Sequence, residues 1–187
     1  MSSLPDLNTL IHDIDTQLAE VVRSSASDIQ RVVPEQEKLT KYILVAIGSL
    51  HLAIEIDDLS EVGPLPAITF LPNLPLWIQG IVNVRSEIIS VVDFAGFLKL
   101  RDQDVCVGNR FVVLQHKKQK IGIRLDRIIV TVSRTATDSK PIDFIDKNAM
   151  DTALFTAGMP VDNTLYYILN VRKFLTAPRL IDFKRAG

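Results

Sequence analysis

Two hydrophobic periods divide this chain. Near the start, Leu7, Leu10, Ile11, Ile14, Leu18, Val21 and Val22 recur at helical spacing and form one apolar stripe. Ser3 or Asp6 suits the cap of that helix, and Pro5 is tolerated in its first turn. Ser24–Asp28 breaks the pattern, and the chain stays polar to about Lys38, with Pro34 as a stop. From Tyr42 the period shortens to that of strands. Tyr42–Ile47 and Leu50–Ile56 flank Gly48-Ser49, a two-residue hairpin turn. Trp77–Val84 and Ile88–Phe94 form a second pair, and Arg110–Gln115 with Lys120–Leu125 a third, around His116–Gln119. Arg127–Val132, Phe155 and Leu165–Leu169 supply further strands. Phe94–Leu100 and Val171–Leu175 read as short helices, and Asp102–Gly108 and Ser133–Lys140 as polar connections.

Many short strands with closely spaced turn signals predict small β-barrels or a sandwich, and the connector after Leu100 favours two units over one. No internal repeat stands out. The expected organisation is a helical extension and linker over 1–38, a β-domain over 39–178 and a tail over 179–187. Within the β-domain two subdomains are expected, at about 48–100 and 101–170, with some chain shared.

Composition narrows the function. The 187 residues are 47% hydrophobic, enough for a real core. Lys+Arg 21 against Asp+Glu 22 gives a net charge of -1, so nothing electrostatic supports a general nucleic-acid or anionic-membrane role. The single cysteine, Cys106, excludes an internal disulfide framework and fits a reducing cytosol. The N-terminus lacks a secretory pattern. No apolar run approaches the roughly 20 residues that span a bilayer. A cytoplasmic protein is expected, reaching a membrane only through a partner.

Motifs for chemistry are sparse. There is no phosphate-binding glycine loop, metalloprotease helix, calcium loop or nucleophile elbow. His12, His51 and His116 fall in a helix, a strand and a turn, with nothing at ligand spacing beside them. Cys106 lies in a polar connector without an evident base. Glu55, Asp57, Asp58 and Glu61 lack the regular oxygen-ligand spacing of a cation loop and read as a solvated strand end. The basic tip His116–Lys120 has no interleaved aromatics and reads as a solvated turn. No catalytic residue, cofactor or metal is expected.

The stretch Leu71–Asp93, LPNLPLWIQGIVNVRSEIISVVD, carries the most information. A proline-rich loop leads into a hairpin with Asn83, Arg85, Ser86 and Glu87 at its turn. Trp77 suits either an interface anchor or the cap of a barrel. Arg85 suits either a surface arginine with a local carboxylate or a planar donor offered to a partner.

This stretch resembles the CheW family, the adaptors of bacterial chemosensory arrays. Leu71-Pro72, Pro75, Trp77-Ile78, Gly80, Asn83, Arg85 and Asp93 fall in register with its L-P-x-x-P and G-x-x-N-x-R-G pattern. Ile54, Glu61-Val62, Gly122, Leu125-Asp126 and Leu165–Leu175 match further elements, so the resemblance covers about residues 41–176. Ser86 replaces the usual glycine, Ser90 the usual proline and Asn170 the closing aspartate. Serine tolerates positive φ poorly, so the hairpin is expected to differ in shape.

The resemblance implies a mainly β fold of two intertwined five-stranded β-barrels with short helices, and no catalysis. It implies a scaffold that couples the cytoplasmic tip of a methyl-accepting chemoreceptor to the regulatory domain of a CheA-type histidine kinase. Asn83 and Arg85 would be receptor-facing, and Glu61 and Val62 near a binding surface; Trp77 joins them as a candidate. A same-family adaptor for pilus motility or phototaxis is the nearest alternative. A small-molecule-binding or catalytic β-protein using Cys106 or the Asp57–Glu61 acids is the remote one.

Overall fold

A computed structural model describes residues 39–100, 108–141 and 152–181. The predicted N-terminal helix, His12 and Cys106 lie outside these residues. Ten strands form two five-stranded sheets. The first is ordered β8-β1-β2-β10-β9, from β1 (Thr40–Ile47), β2 (Leu50–Glu55), β8 (Arg127–Arg134), β9 (Phe155–Val161) and β10 (Thr164–Leu169). The second is ordered β3-β6-β7-β5-β4, from β3 (Leu59–Pro64), β4 (Ile78–Val84), β5 (Glu87–Val92), β6 (Arg110–His116) and β7 (Gln119–Leu125). Three short helices follow β5 and β10: α1 (Phe94–Phe97), α2 (Val171–Leu175) and α3 (Pro178–Ile181).

The two sheets have the same plan. Each contains two antiparallel hairpins joined by a short parallel pairing, β2 with β10 and β7 with β5, and each gains a fifth strand at one edge, β8 beside β1 and β3 beside β6. That fifth strand is exchanged. After β1–β2 the chain turns through Ile56–Asp58 and lays β3 on the other sheet, beside β6. After β6–β7 only Asp126 intervenes before β8 returns to the first sheet, beside β1. The boundary expected near residue 100 therefore separates two structural repeats, whereas the sheets divide as 59–125 against the strands on either side.

A repeat is thus present, and it has a sequence echo. Val91-Val92-Asp93-Phe94, with Phe97-Leu98, matches Ile168-Leu169-Asn170-Val171, with Phe174-Leu175. Both polar residues cap a helix: Gly96 N–H donates to Asp93 Oδ1 at 3.2 Å, and Lys173 N–H to Asn170 Oδ1 at 2.9 Å. Asparagine caps as well as aspartate, so this departure from the family pattern leaves the local structure intact.

Alternation along the strands buries both faces. Leu44, Ala53, Met159 and Ile168 fill a cluster within the first sheet, and Val82, Ile89, Phe111 and Val113 one within the second. Residues of the opposite parity meet in a shared core: Val45, Leu52 and Ile54 with Val112, Leu114 and Ile123, and with the helices. Phe174 sits edge-on to Phe94 at 5.1 Å and to Phe97 at 5.2 Å, a geometry worth about 0.5–1.5 kcal/mol per pair beyond burial.

No strand pairing closes either sheet among the described residues, so the expected closed barrels appear as two open-ladder sheets. Single isolated bridges touch the outer strands instead. Thr69, beyond β3, exchanges backbone bonds of 2.8 and 2.9 Å with Ile81 of β4, and Lys140, beyond β8, does so with Gly158 of β9 at 2.7 and 2.9 Å. Gly80 is required at the first of these. Its φ is 138°, and a Cβ there would lie 2.4 Å from the Thr69 carbonyl oxygen.

β3 escapes the sequence pattern, and β9 is expected from it only at Phe155, its first residue. β3 contains Gly63 and Pro64, and β9 contains Gly158 and Pro160; both are edge strands, where a missing ladder donor is tolerated. The loop expected over Ser133–Lys140 begins one turn late, because β8 runs to Arg134 and Ala136–Asp138 forms a capped 3-10 turn. The expected tail from 179 is α3 up to Ile181, with Leu180 buried.

Candidate partner-docking surface

Arg85 occupies a hairpin turn whose shape its neighbours dictate. β4 and β5 are joined by Arg85-Ser86 alone, with Val84 opposite Glu87. Both turn residues have positive φ, 49° and 69°, as a type I′ turn demands. Asn83 compensates: its Oδ1 accepts the Ser86 N–H at 3.0 Å. The hairpin therefore keeps a two-residue turn with serine held at positive φ. Asn83 acts as a turn brace, and its side chain is engaged within the hairpin.

The guanidinium of Arg85 reaches across to the first strand of the same sheet. Its Nη2 lies 3.0 Å from Glu61 Oε2, with the Arg85 side chain 80% exposed and that of Glu61 27% exposed. Beside this pair Lys120 Nζ binds Glu87 Oε2. The carboxylate nearest Arg85 in sequence is thus taken by Lys120, a residue of β7, and the basic tip is less free than its sequence suggests. Together with Ser60, Val84 and Ile89 these four charges line a cleft of about 180 Å³. Two cations and two anions leave it neutral, suited to orienting a partner's polar groups more than to attracting a net charge.

The other predicted residues separate. Val62 follows Glu61 on β3, so alternation points it to the opposite face, where it is 39% exposed. Ile88, which sequence reading passed over, is 66% exposed and lies opposite Asn83 on the outer face of the hairpin. Its signal was available: an isoleucine one place out of step with the inward residues Ile89 and Val91. Trp77 is not part of this surface. It is 7% exposed in the shared core, edge-on to Phe97 at 5.1 Å, and burial removes it as an interface anchor.

The chemical alternatives find no centre among the described residues. His51 packs edge-on against Tyr166 at 5.4 Å. No group of three or more His, Cys, Asp and Glu side chains there is arranged to hold a metal. Burial, the larger effect, and neighbouring Asp57 push the Asp58 carboxyl above its ordinary range, against a smaller opposing pull from His116. No helix among the described residues is long and apolar enough to cross a membrane.

The family's other signature residues are structural. Asp126 accepts Gly48 N–H at 2.5 Å and Gly108 N–H at 2.7 Å, while its own N–H donates to Ala46 carbonyl at 3.0 Å. It thereby pins the crossing from β7 to β8. Gly122 makes room for the Phe111 ring, 2.1 Å from where a Cβ would stand. A CheW-like domain model matches residues 41–179, from β1 through the start of α3. The chain belongs to the CheW-like domain family.

Relatives agree with this assignment. The chemotaxis protein CheW of Treponema pallidum is 30% identical over 101 residues, covering 51% of this chain and 59% of that protein. The chemotaxis protein CheW of Helicobacter pylori is 25% identical over 142 residues, covering 75% of this chain and 84% of that protein. The chain thus spans about three fifths of the first relative and most of the second. Among solved structures, the scaffolding protein TtCheW of Thermoanaerobacter tengcongensis superposes with a TM-score of 0.63 at 21% identity, over 73% of this chain and 87% of that one. That likeness establishes a shared fold.

Proposed function

We propose that this protein is a non-catalytic adaptor of a chemotaxis pathway, linking the cytoplasmic tip of a chemoreceptor to the regulatory domain of a CheA-type histidine kinase. It works in the cytoplasm and meets the membrane through the receptor. The observation that carries this reading is the family match over 41–179, with its G-x-x-N-x-R stretch ending at an exposed, braced turn. The two sheets are read as two small barrels sharing a core, in keeping with the single bridges and the Arg85–Glu61 pair along their outer strands. On this reading Arg85, Glu61, Val62 and Asn83 belong to or support the docking face. Arrays multiply modest contacts, so each docking site needs only moderate affinity.

The test is co-purification of the full chain with the regulatory domains of the CheA-type kinases of its own organism, and with a receptor fragment bearing the signalling tip. A stable complex with at least one kinase domain is expected. Arg85→Glu should weaken receptor coupling while leaving the circular-dichroism spectrum unchanged. Failure to bind any of these kinases would overturn the reading.

A further inference from the structure

The last described segment, α3, is held to the rest of the fold by side chains. Its backbone bonds are local: Leu180 and Ile181 N–H both donate to the Ala177 carbonyl, at 2.9 and 3.2 Å. Two contacts reach outward. Leu180 is buried in the shared core at 8% exposure. Arg179 lays its guanidinium over the Phe97 ring at 5.1 Å and the Trp77 ring at 5.8 Å, and its Nη1 donates to the Phe97 carbonyl oxygen. That carbonyl closes α1, where a cation is favoured.

What lies beneath matters. Trp77 ends the proline-rich loop immediately before β4, and its carbonyl accepts the N–H of Asp93, the cap of α1. The loop it terminates displays Phe70 at 79%, Leu71 at 44% and Leu76 at 100% exposure. Its other end is tied by the Thr69–Ile81 bridge and by Leu65 N–H, which donates to the Asn109 carbonyl at 2.8 Å. One arginine on α3 thus bears on the aromatic pair at the base of a loop with three exposed apolar side chains. A four-residue turn held by one buried leucine and one arginine, which stacks on two rings and donates one hydrogen bond, is a unit of low local stability, whereas strands hydrogen-bonded on both sides open only with the whole domain.

We propose that Pro178–Ile181 is a detachable strap. It opens as a local unit while both sheets stay folded, and its opening uncovers the Trp77–Phe97 face and loosens the loop Leu65–Leu76 at its base. Thr176 and Ala177, between α2 and the strap, supply the hinge. Because Arg179 contributes a fork that stacks and donates at once, lysine cannot replace it in full.

Trp77 is the only tryptophan, so it reports on the strap directly. In the full chain, hydrogen exchange should show the Leu180 and Ile181 amides opening at least about a hundredfold more readily than the amides of β2. Arg179→Ala should shift Trp77 emission to the red and raise its acrylamide quenching roughly twofold, with the far-ultraviolet spectrum unchanged, and Arg179→Lys should fall between. Leu180 amide protection equal to that of β2 would overturn the proposal. So would an Arg179→Ala variant, folded by its spectrum, in which Trp77 emission and quenching match the parent.

Discussion

Arg85 Nη2 stands 3.0 Å from Glu61 Oε2 although their strands are the two outer members of one sheet. β4, which leads into Arg85, is separated from β3 by β5, β7 and β6 in the ladder. The ion pair is therefore a tie across a seam that backbone bonds leave open. It also holds a largely exposed guanidinium in one orientation, which lowers the entropy cost of presenting it to a partner.

Reversing either charge places like charges across that seam. Arg85→Glu or Glu61→Arg should each cost less than about 1 kcal/mol, as expected of an exposed pair, and the double exchange should restore the urea midpoint. Partner binding should behave differently. If Arg85 contacts a partner, the exchanged pair restores stability without restoring binding; recovery of both would reduce Arg85 to a structural tie.

Ser86 holds a φ of 69° that serine adopts at a cost. Ser86→Gly relieves that strain, partly offset by the greater freedom of glycine in the unfolded chain, for a net gain of about 1 kcal/mol or less. Thermal unfolding should move up by roughly 2 °C. An unchanged or lower midpoint would show that the Asn83 brace already removes the strain.

Asp126 collects N–H groups from Gly48 and Gly108 at the crossing between sheets. Asp126→Ala should lower stability by about 2 kcal/mol or more, since bonds to a charged acceptor are the strong ones. Asp126→Asn, which keeps an acceptor but not the charge, should lose about half as much. Denaturant titration of both variants gives the comparison.

Asp58 has the opposite sign. Burial raises its carboxyl pKa above the ordinary value of an aspartate, so the folded protein holds that proton more tightly than the unfolded chain. The ionised form therefore costs stability as pH rises through the folded pKa. Asp58→Asn should be more stable than the parent at neutral pH. The difference should vanish well below 3.8, where both states carry the proton. Urea midpoints at the two pH values decide it.

How far the sequence carries can be judged element by element. The hairpin at Gly48-Ser49, the hairpin at Arg85-Ser86 and the helices after Asp93 and Asn170 were legible, because turn and capping chemistry acts over three or four residues. β3 was not, and β9 was only at Phe155, since Gly63, Pro64 and Pro160 argue against a strand unless it lies at an edge, and edge position is a property of the assembled sheet. The repeat was hidden because only the spacing around Asp93 and Asn170 survives in sequence.

The amino-acid order by itself determined the β character, the local turns and caps, and the family, each written in contiguous residues or short spacings. Tertiary structure alone decided that β3 and β8 change sheets, that Trp77 turns inward under Arg179, and that Arg85 finds Glu61 while Lys120 takes Glu87. Each of these joins residues far apart in the chain. Such pairings follow from which strands become neighbours, and no local period in the sequence records that choice.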